Sequence, residues 1–195
     1  MDLARVSKGT RVLEIGCGGG GLLRLLRERG AAAVGVDTLD VALELAKRRD
    51  GPSGGLMVIR IDSDGALPFR DGSFDVIAGQ HVVEHLTDTG AALCEWKRLL
   101  APGGRLVLAT PNARYPDPAH FADASHTLVF SPSELREAAA RAGFAVDACY
   151  TVFPFLSGSR ALRGLGVIGY KFFLRAPYFS ARGRTILLGA RKSSP

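Results

Sequence analysis

The feature that most constrains this chain is Arg11–Ile15 (RVLEI) running into Gly16-Cys17-Gly18-Gly19-Gly20-Gly21 and then LLRLLRER. A short apolar strand, a glycine turn and an amphipathic helix form the opening of a βα unit. Such a turn lets a ligand approach the backbone at a helix N-terminus. The alternation continues. Residues 33–37 (AVGVD) read as a second strand, DVALELAKRR as a helix and residues 56–61 (LMVIRI) as a third strand. Residues 74–78 form a fourth. A helix starting near Val82 and ending in KRLLAPGG is stopped by Pro102-Gly103-Gly104, ahead of a fifth strand at 105–110. Residues 133–142 read as a helix with Ser131 as cap and Gly143 as stop. Strands at 144–152 and 185–190 bring the count to seven, closed by a hairpin. This pattern predicts an α/β fold around a mostly parallel sheet.

Composition limits the class further. With 195 residues, 47% of them apolar, the chain is long enough for one domain with a core that needs no disulfide or metal staples. No stretch approaches the ~18 to 20 apolar residues of a membrane span. The opening lacks the basic-then-apolar pattern of a signal peptide. Cys17, Cys94 and Cys149 are scattered without Cys-x-x-Cys spacing, so reduced thiols and a cytoplasmic location are expected. The charge is uneven. Residues 151–195 carry 8 of the 25 Lys/Arg and none of the 19 Asp/Glu. That leaves a net −2 on the first 150 residues and +8 on the rest, which points to one local surface with its own partner.

Two connections are long, 111–130 and 153–184. The first leaves the carboxyl end of the fifth strand, where ligands of open parallel sheets sit. Gly16, Gly18 and Gly20 give the turn its freedom, while Gly16, Gly18 and Gly21 also satisfy the dinucleotide pattern G-x-G-x-x-G. The loop alone leaves both readings open. Glu14 separates them, because a carboxylate there repels a pyrophosphate and attracts a cation. That favours a ligand with an ammonium and a sulfonium over NAD. Asp37, beside Thr38, ends the second strand where an acid accepts ribose hydroxyls; it also suits a helix cap, though Asp40 is better placed for that. Asp62, Ser63 and Asp64 follow the third strand, where polar groups hold an adenine edge. Gln80 and His81 follow the fourth.

Taken together, VLEIGCGGG, VGVD, LPFRDGSFDVI, VVEHL, LLAPGGRLVLATPN and FSPSELREAAARAGF resemble the successive motifs of class I S-adenosylmethionine-dependent methyltransferases. The resemblance covers about residues 10–150 and extends to the last strand, ILLGARK. The nearest style is that of small-molecule enzymes such as the ubiquinone-biosynthesis O-methyltransferases. It implies a Rossmann-like, seven-stranded, mostly parallel sheet with an antiparallel last strand, and S-adenosyl-L-methionine as cofactor. It further implies that Glu14, Gly16, Cys17, Gly18 and Gly20 line the methionine part. Asp37 and Thr38 would bind the ribose, Asp62 and Ser63 the adenine side, and Gln80 the centre of the molecule. The spacing before LPF leaves open which of Asp62, Ser63 and Asp64 takes the adenine role.

His81-Val82-Val83-Glu84-His85 has the H-x-x-E-H form of an inverted zinc protease motif, but its surroundings oppose that reading. Ubiquinone-type enzymes resemble it with Glu-x-x-Glu-His, implicated in binding a divalent cation; the expectation here is a structural helix start and no metal. His85 and His126 are the expected catalytic residues, with His126 and His120 in the long connection over the acceptor pocket. His is the natural base for an oxygen nucleophile, whereas an activated carbon needs none. About ten residues precede the first strand, where the resembled enzymes carry helices that close the site. A lid is therefore expected from the two long connections or a partner subunit, or is absent.

The expected organisation is one methyltransferase domain over 1–195. It has a cofactor-binding core at 10–152, substrate-covering insertions at 111–130 and 153–184, and the last strand at 185–191. The expected function is methyl transfer to a small or lipid-like acceptor at oxygen or carbon, with peripheral contact to anionic membrane through the basic, aromatic-rich 153–184 segment. Competing classes are a non-catalytic binding or scaffold protein of the same fold and an NAD-dependent dehydrogenase. A nucleic-acid methyltransferase also competes, but no Asn-Pro-Pro-Tyr-like motif for a flipped base is present and no stable nucleic-acid complex is expected.

Overall fold

In the computed structural model, residues 4–50, 55–62, 65–115, 128–152 and 183–193 are described. The strands are β1 (Arg11–Ile15), β2 (Ala32–Asp37), β3 (Met57–Arg60), β4 (Phe74–Gln80), β5 (Leu100–Pro111), β6 (Phe144–Val152) and β7 (Thr185–Lys192). They form one sheet in the order β3-β2-β1-β4-β5-β7-β6. β1 to β5 run parallel to one another, while β7 pairs antiparallel with both β5 and β6. The expected mostly parallel sheet with an antiparallel last strand is therefore observed.

The helices are α1 (Gly21–Glu28), α2 (Asp40–Asp50), α3 (Thr89–Leu99) and α4 (Pro132–Arg141). Strand alternation divides the core between two faces. Val12 of β1 packs with Leu23 and Leu26 of α1 and Leu43 of α2. Leu13 and Ile15 turn the other way, into the cluster of Trp96 and Leu99 of α3 and Leu135 of α4. α4 begins as its sequence predicts: Ser131 accepts from the Glu134 N–H, and the Glu134 carboxylate accepts from the Ser131 N–H.

Two elements differ from expectation. The helix predicted from Val82 is a 3-10 turn at Val83–His85, and α3 starts only at Thr89, after Leu86 becomes extended and Asp88 caps the Ala91 N–H. Pro102-Gly103-Gly104 does not terminate a helix. α3 already ends at Leu99, Leu100 pairs with Phe74, and β5 passes through the Pro-Gly-Gly stretch as an irregularity before pairing resumes at Arg105 and Val76. Sheet pairing of the buried Leu100 overrides the local stop signal. Among the described residues, no helix is long and apolar enough to cross a membrane.

Candidate functional site

The strand order reverses between β1 and β4, so their carboxyl ends diverge into helices on opposite faces and leave a crevice. The glycine loop forms one wall. Gly16 takes φ +66°, and a Cβ there would lie 2.5 Å from Val82 Cγ2, so the loop touches the segment after β4 only because residue 16 has no side chain. The Cys17 N–H donates to the Val36 carbonyl (3.0 Å), tying the loop to β2. At the end of β2 the Asp37 carboxylate accepts from the Gly18 N–H (2.8 Å) and the Leu39 N–H (3.0 Å). The expected ribose ligand thus also fixes the loop and the turn into α2. Gly16, Asp37, Thr38, Ile61, His81 and His85 are among the residues lining a cavity of about 520 Å³.

Glu14 lies one residue inside the cavity wall formed by Ile15 and Gly16. It is buried, and its Oε2 has no hydrogen-bond partner. Burial pushes its pKa up to about 8; the Leu23 backbone N–H, in the first turn of α1, offsets this in part, and Asp37 adds repulsion. An orphaned buried carboxylate oxygen wants a donor or a cation. Cys17 is also buried, its thiol pushed up to about 12 by burial and by Asp37 and Glu14, so it packs rather than reacts.

Across the crevice, His81 has φ +55°, the left-handed region that non-glycine residues adopt at a cost of order 1–3 kcal/mol. Its backbone N–H donates to the Ala109 carbonyl of β5 (2.8 Å), and its Nδ1 lies 3.0 Å from Glu84 Oε1. Glu84 is fully buried, and its Oε2 accepts from Thr110 Oγ1 at 2.8 Å. Burial alone would raise the Glu84 pKa, but hydrogen bonds from His81, the backbone and Thr110 outweigh it and bring the net shift down, so the group is a carboxylate. Among the described residues, no group of three His, Cys, Asp or Glu side chains is arranged to hold a metal ion. His81, Glu84 and His85 share a short segment, but Glu84 is turned inward to His81 and Thr110.

The structure brings together Gly16, Asp37, Thr38 and His85 at the cavity, with Glu14, Cys17 and Gly18 immediately behind it. Gly20 serves as the left-handed residue at the start of α1. Asp62 stands apart, ion-paired to Arg60 and exposed, while Ile61 and Leu67 present an apolar wall on that side. Gln80 is the exposed end of β4 and is not among the lining residues. Ser63 and His126 lie outside the described residues. The sequence reading placed His81 after the fourth strand and weighed it only within the H-x-x-E-H pattern; the structure puts it in the cavity wall, with Nδ1 on Glu84.

The doubly wound sheet thus carries, at its switch point, a glycine loop, a terminal acid on β2 and a buried carboxyl group on β1 with one unpartnered oxygen. Residues 13–108 match the family described as a methyltransferase domain. A ubiquinone biosynthesis O-methyltransferase of Chelativorans sp. is 35% identical over 109 residues, 56% of this chain and 43% of that one. A demethylmenaquinone methyltransferase of Thermus thermophilus is 40% identical over 111 residues, 55% of this chain and 50% of that one. The family match, these relatives and the fold together support placing residues 13–108 in the class I S-adenosylmethionine-dependent methyltransferases. The chain spans about half or less of the length of these curated relatives. Phosphoethanolamine N-methyltransferase 2 of Haemonchus contortus, solved with S-adenosyl-L-methionine, superposes with a TM-score of 0.74 at 20% identity, over 98% of this chain and 50% of that one. At that identity the likeness shows the fold.

S-adenosylmethionine is the cofactor of this family. The residues present fit it. The orphaned Glu14 oxygen suits an ammonium, Asp37 retains lone pairs for ribose hydroxyls, and the bare Gly16 and Gly18 backbone leaves room beside them.

Proposed function

We propose that this chain methylates a small acceptor with an apolar body, at oxygen or carbon, using S-adenosylmethionine. The observation that carries the reading is the buried, unpartnered Glu14 oxygen behind a cavity that Asp37 and Gly16 line. When bound, the cofactor supplies an already activated methyl group. The protein's work is then alignment and exclusion of water. In this reading Glu14 behind the glycine loop takes the ammonium, and Gly16, Cys17, Gly18 and Gly20 shape the loop around the methionine part. Asp37 and Thr38 hold the ribose, and Ile61 and Leu67 flank the base. The polar contacts there are left to Asp62 and Ser63, and Gln80 borders the centre. His85, in the cavity wall, and His126, in the 111–130 connection, are the side chains we place beside the acceptor.

The names of the two relatives support an acceptor of isoprenoid, acyl or aromatic character. The sequence of 153–184, rich in Phe, Leu, Tyr and basic residues and without an acid, supports brief docking on anionic membrane from a cytoplasmic location. Most of that segment lies outside the described residues. Calorimetry tests the central reading. S-adenosylhomocysteine is expected to bind and NAD to show no comparable binding. Methyl transfer from labelled S-adenosylmethionine to an alkylated catechol is expected from the same preparation. Binding without transfer to any acceptor would instead support a scaffold role, and tight NAD binding would sink the reading.

A further inference from the structure

A second cavity, of about 550 Å³, is lined by α4, by Cys149 of the edge strand β6 and by Arg114 just past β5. Among the described residues it shares no wall with the cavity of Gly16 and Asp37. Its volume falls within the ~300–1,000 Å³ of ligand pockets. Helical spacing builds one side. Pro132, Arg136 and Ala140 recur every four residues and share a face of α4, while Leu135 and Ala139 are buried in the core. The Cys149 thiol donates to the Pro132 carbonyl (3.3 Å). Burial raises its pKa and the Arg136 charge offsets this in part, so the thiol is neutral and Arg136 acts within reach of it. Arg114 is anchored through its backbone, whose N–H donates to Asn112 Oδ1 (3.1 Å); Asn112 is itself fully buried and donates to the Gly183 carbonyl.

The two cations of this cavity lack counter-charges. Among the described residues, neither the Arg114 nor the Arg136 guanidinium forms an ion pair or a side-chain hydrogen bond. The nearby acids are engaged elsewhere. Glu134 accepts from the Ser131 N–H (2.8 Å), and Glu137 accepts from Arg141 (2.7 Å). The Glu134 pKa is lowered by its bonds with Ser131 and, in smaller part, by the Arg114 charge. Two guanidiniums beside an apolar wall are complementary to a dianionic head on an apolar body. A phosphate monoester carries about −1.5 to −2 at pH 7, which matches two cations better than a carboxylate does.

We propose that this cavity binds an organic phosphate monoester, with its phosphate on Arg114 and Arg136 and its apolar body along Pro132, Ala140 and Cys149. The site is separate from the methyl-transfer site and stands whether or not the chain methylates an acceptor. Two sources present this chemistry, a soluble organophosphate and the head group of phosphatidate.

Calorimetry of the full chain with octyl phosphate tests the proposal, with and without S-adenosylhomocysteine. One saturable site of unchanged affinity is expected in both conditions. Inorganic phosphate should bind at least about tenfold more weakly, because it leaves the apolar wall uncovered. Arg114→Gln and Arg136→Gln should each weaken octyl phosphate binding about tenfold or more, the usual loss of a hydrogen bond to a charged group. Both residues are exposed, so neither replacement threatens the fold. Arg48→Gln, which removes an exposed cation of α2, should leave the affinity as it was. Phosphatidylcholine vesicles containing phosphatidate or phosphatidylserine, at matched surface charge, separate the two sources. A preference for phosphatidate that both variants lose assigns the site to the lipid head group. No preference, with octyl phosphate still bound, assigns it to a soluble monoester. The proposal is overturned by absence of saturable octyl phosphate binding, by its displacement by S-adenosylhomocysteine, or by wild-type affinity in either variant. Inorganic phosphate binding as tightly would also overturn it, as would an equal loss in Arg48→Gln, the mark of diffuse charge attraction. Failure of S-adenosylhomocysteine to bind would strike the methyltransferase reading alone.

Discussion

Glu14 combines burial, an unpartnered oxygen and a pKa of about 8 against an ordinary value of 4.5. The folded protein holds the Glu14 proton more tightly than the unfolded chain does. Stability therefore falls as pH rises from about 4.5 to about 8, and the loss is complete above that. Glu14→Gln is expected to remove this slope and to stabilise the cofactor-free protein by about 1–3 kcal/mol at pH 8, while weakening S-adenosylhomocysteine binding. Urea unfolding at pH 6, 7 and 8 checks it, and a variant less stable than wild type at pH 8 would contradict the account. Asp37 gives a second residue-scale expectation. Its replacement by Ala should weaken cofactor binding by ~1–3 kcal/mol, measured by calorimetry. Part of that loss comes through the released Gly18 and Leu39 N–H groups. Both acids were legible in the sequence because strand ends and glycine spacing fix their places. The Asp37 bond to Gly18 was not, since it depends on how far the loop folds back.

Among the elements, the connection from β3 to β4 shows how a loop is held without regular structure. Arg98 of α3 donates to the carbonyls of Phe69 (3.0 Å) and Leu67 (3.4 Å) and pairs with Asp71 and Glu95, while Glu95 accepts from the Leu67 N–H (2.7 Å). Leu67 is a cavity wall, so the clamp shapes the apolar side of the site from outside it. Arg98→Met is expected to cost about 1–3 kcal/mol in stability and to lower cofactor affinity by a smaller factor. Hydrogen exchange confined to residues 65–73 would locate the effect; unchanged protection there would refute it. No sequence pattern announces such a clamp, because its partners lie up to 31 residues apart and meet only through the fold. The 3-10 turn at Val83–His85 escaped the sequence reading for a related reason. Its apolar residues at Val82, Val83 and Leu86 have helical spacing, but burial of Glu84 against His81 and Thr110 and capping by Asp88 restart the chain at Thr89. Where local signals and pairing agreed, as in β1, β2 and the Ser131-capped α4, the prediction stood.

Over the whole molecule, the charge asymmetry and the sheet order carry separate consequences. If the basic 153–184 segment docks on anionic membrane, vesicles containing phosphatidylserine should bind the protein at low salt and release it as salt rises. Replacing 157–182 by a short turn should spare cofactor binding and cripple methyl transfer. Indifference to such vesicles together with full activity of the deletion would end that idea. The fold class, strand count and direction of the last strand were readable from the order of the motifs. The three-strand tie was not: Asp147 of β6 holds Arg105 of β5 and Arg191 of β7 at once, at 3.1 and 2.9 Å. β7 is the strand that separates β5 from β6, and it is also the last of the seven to leave the ribosome. Until it arrives, β6 has no neighbour and β5 presents a bare edge. A nascent chain halted before Thr185 would thus hold most of its core residues and no closed sheet. Acquisition of protease resistance should wait for the final segment rather than accumulate as translation proceeds.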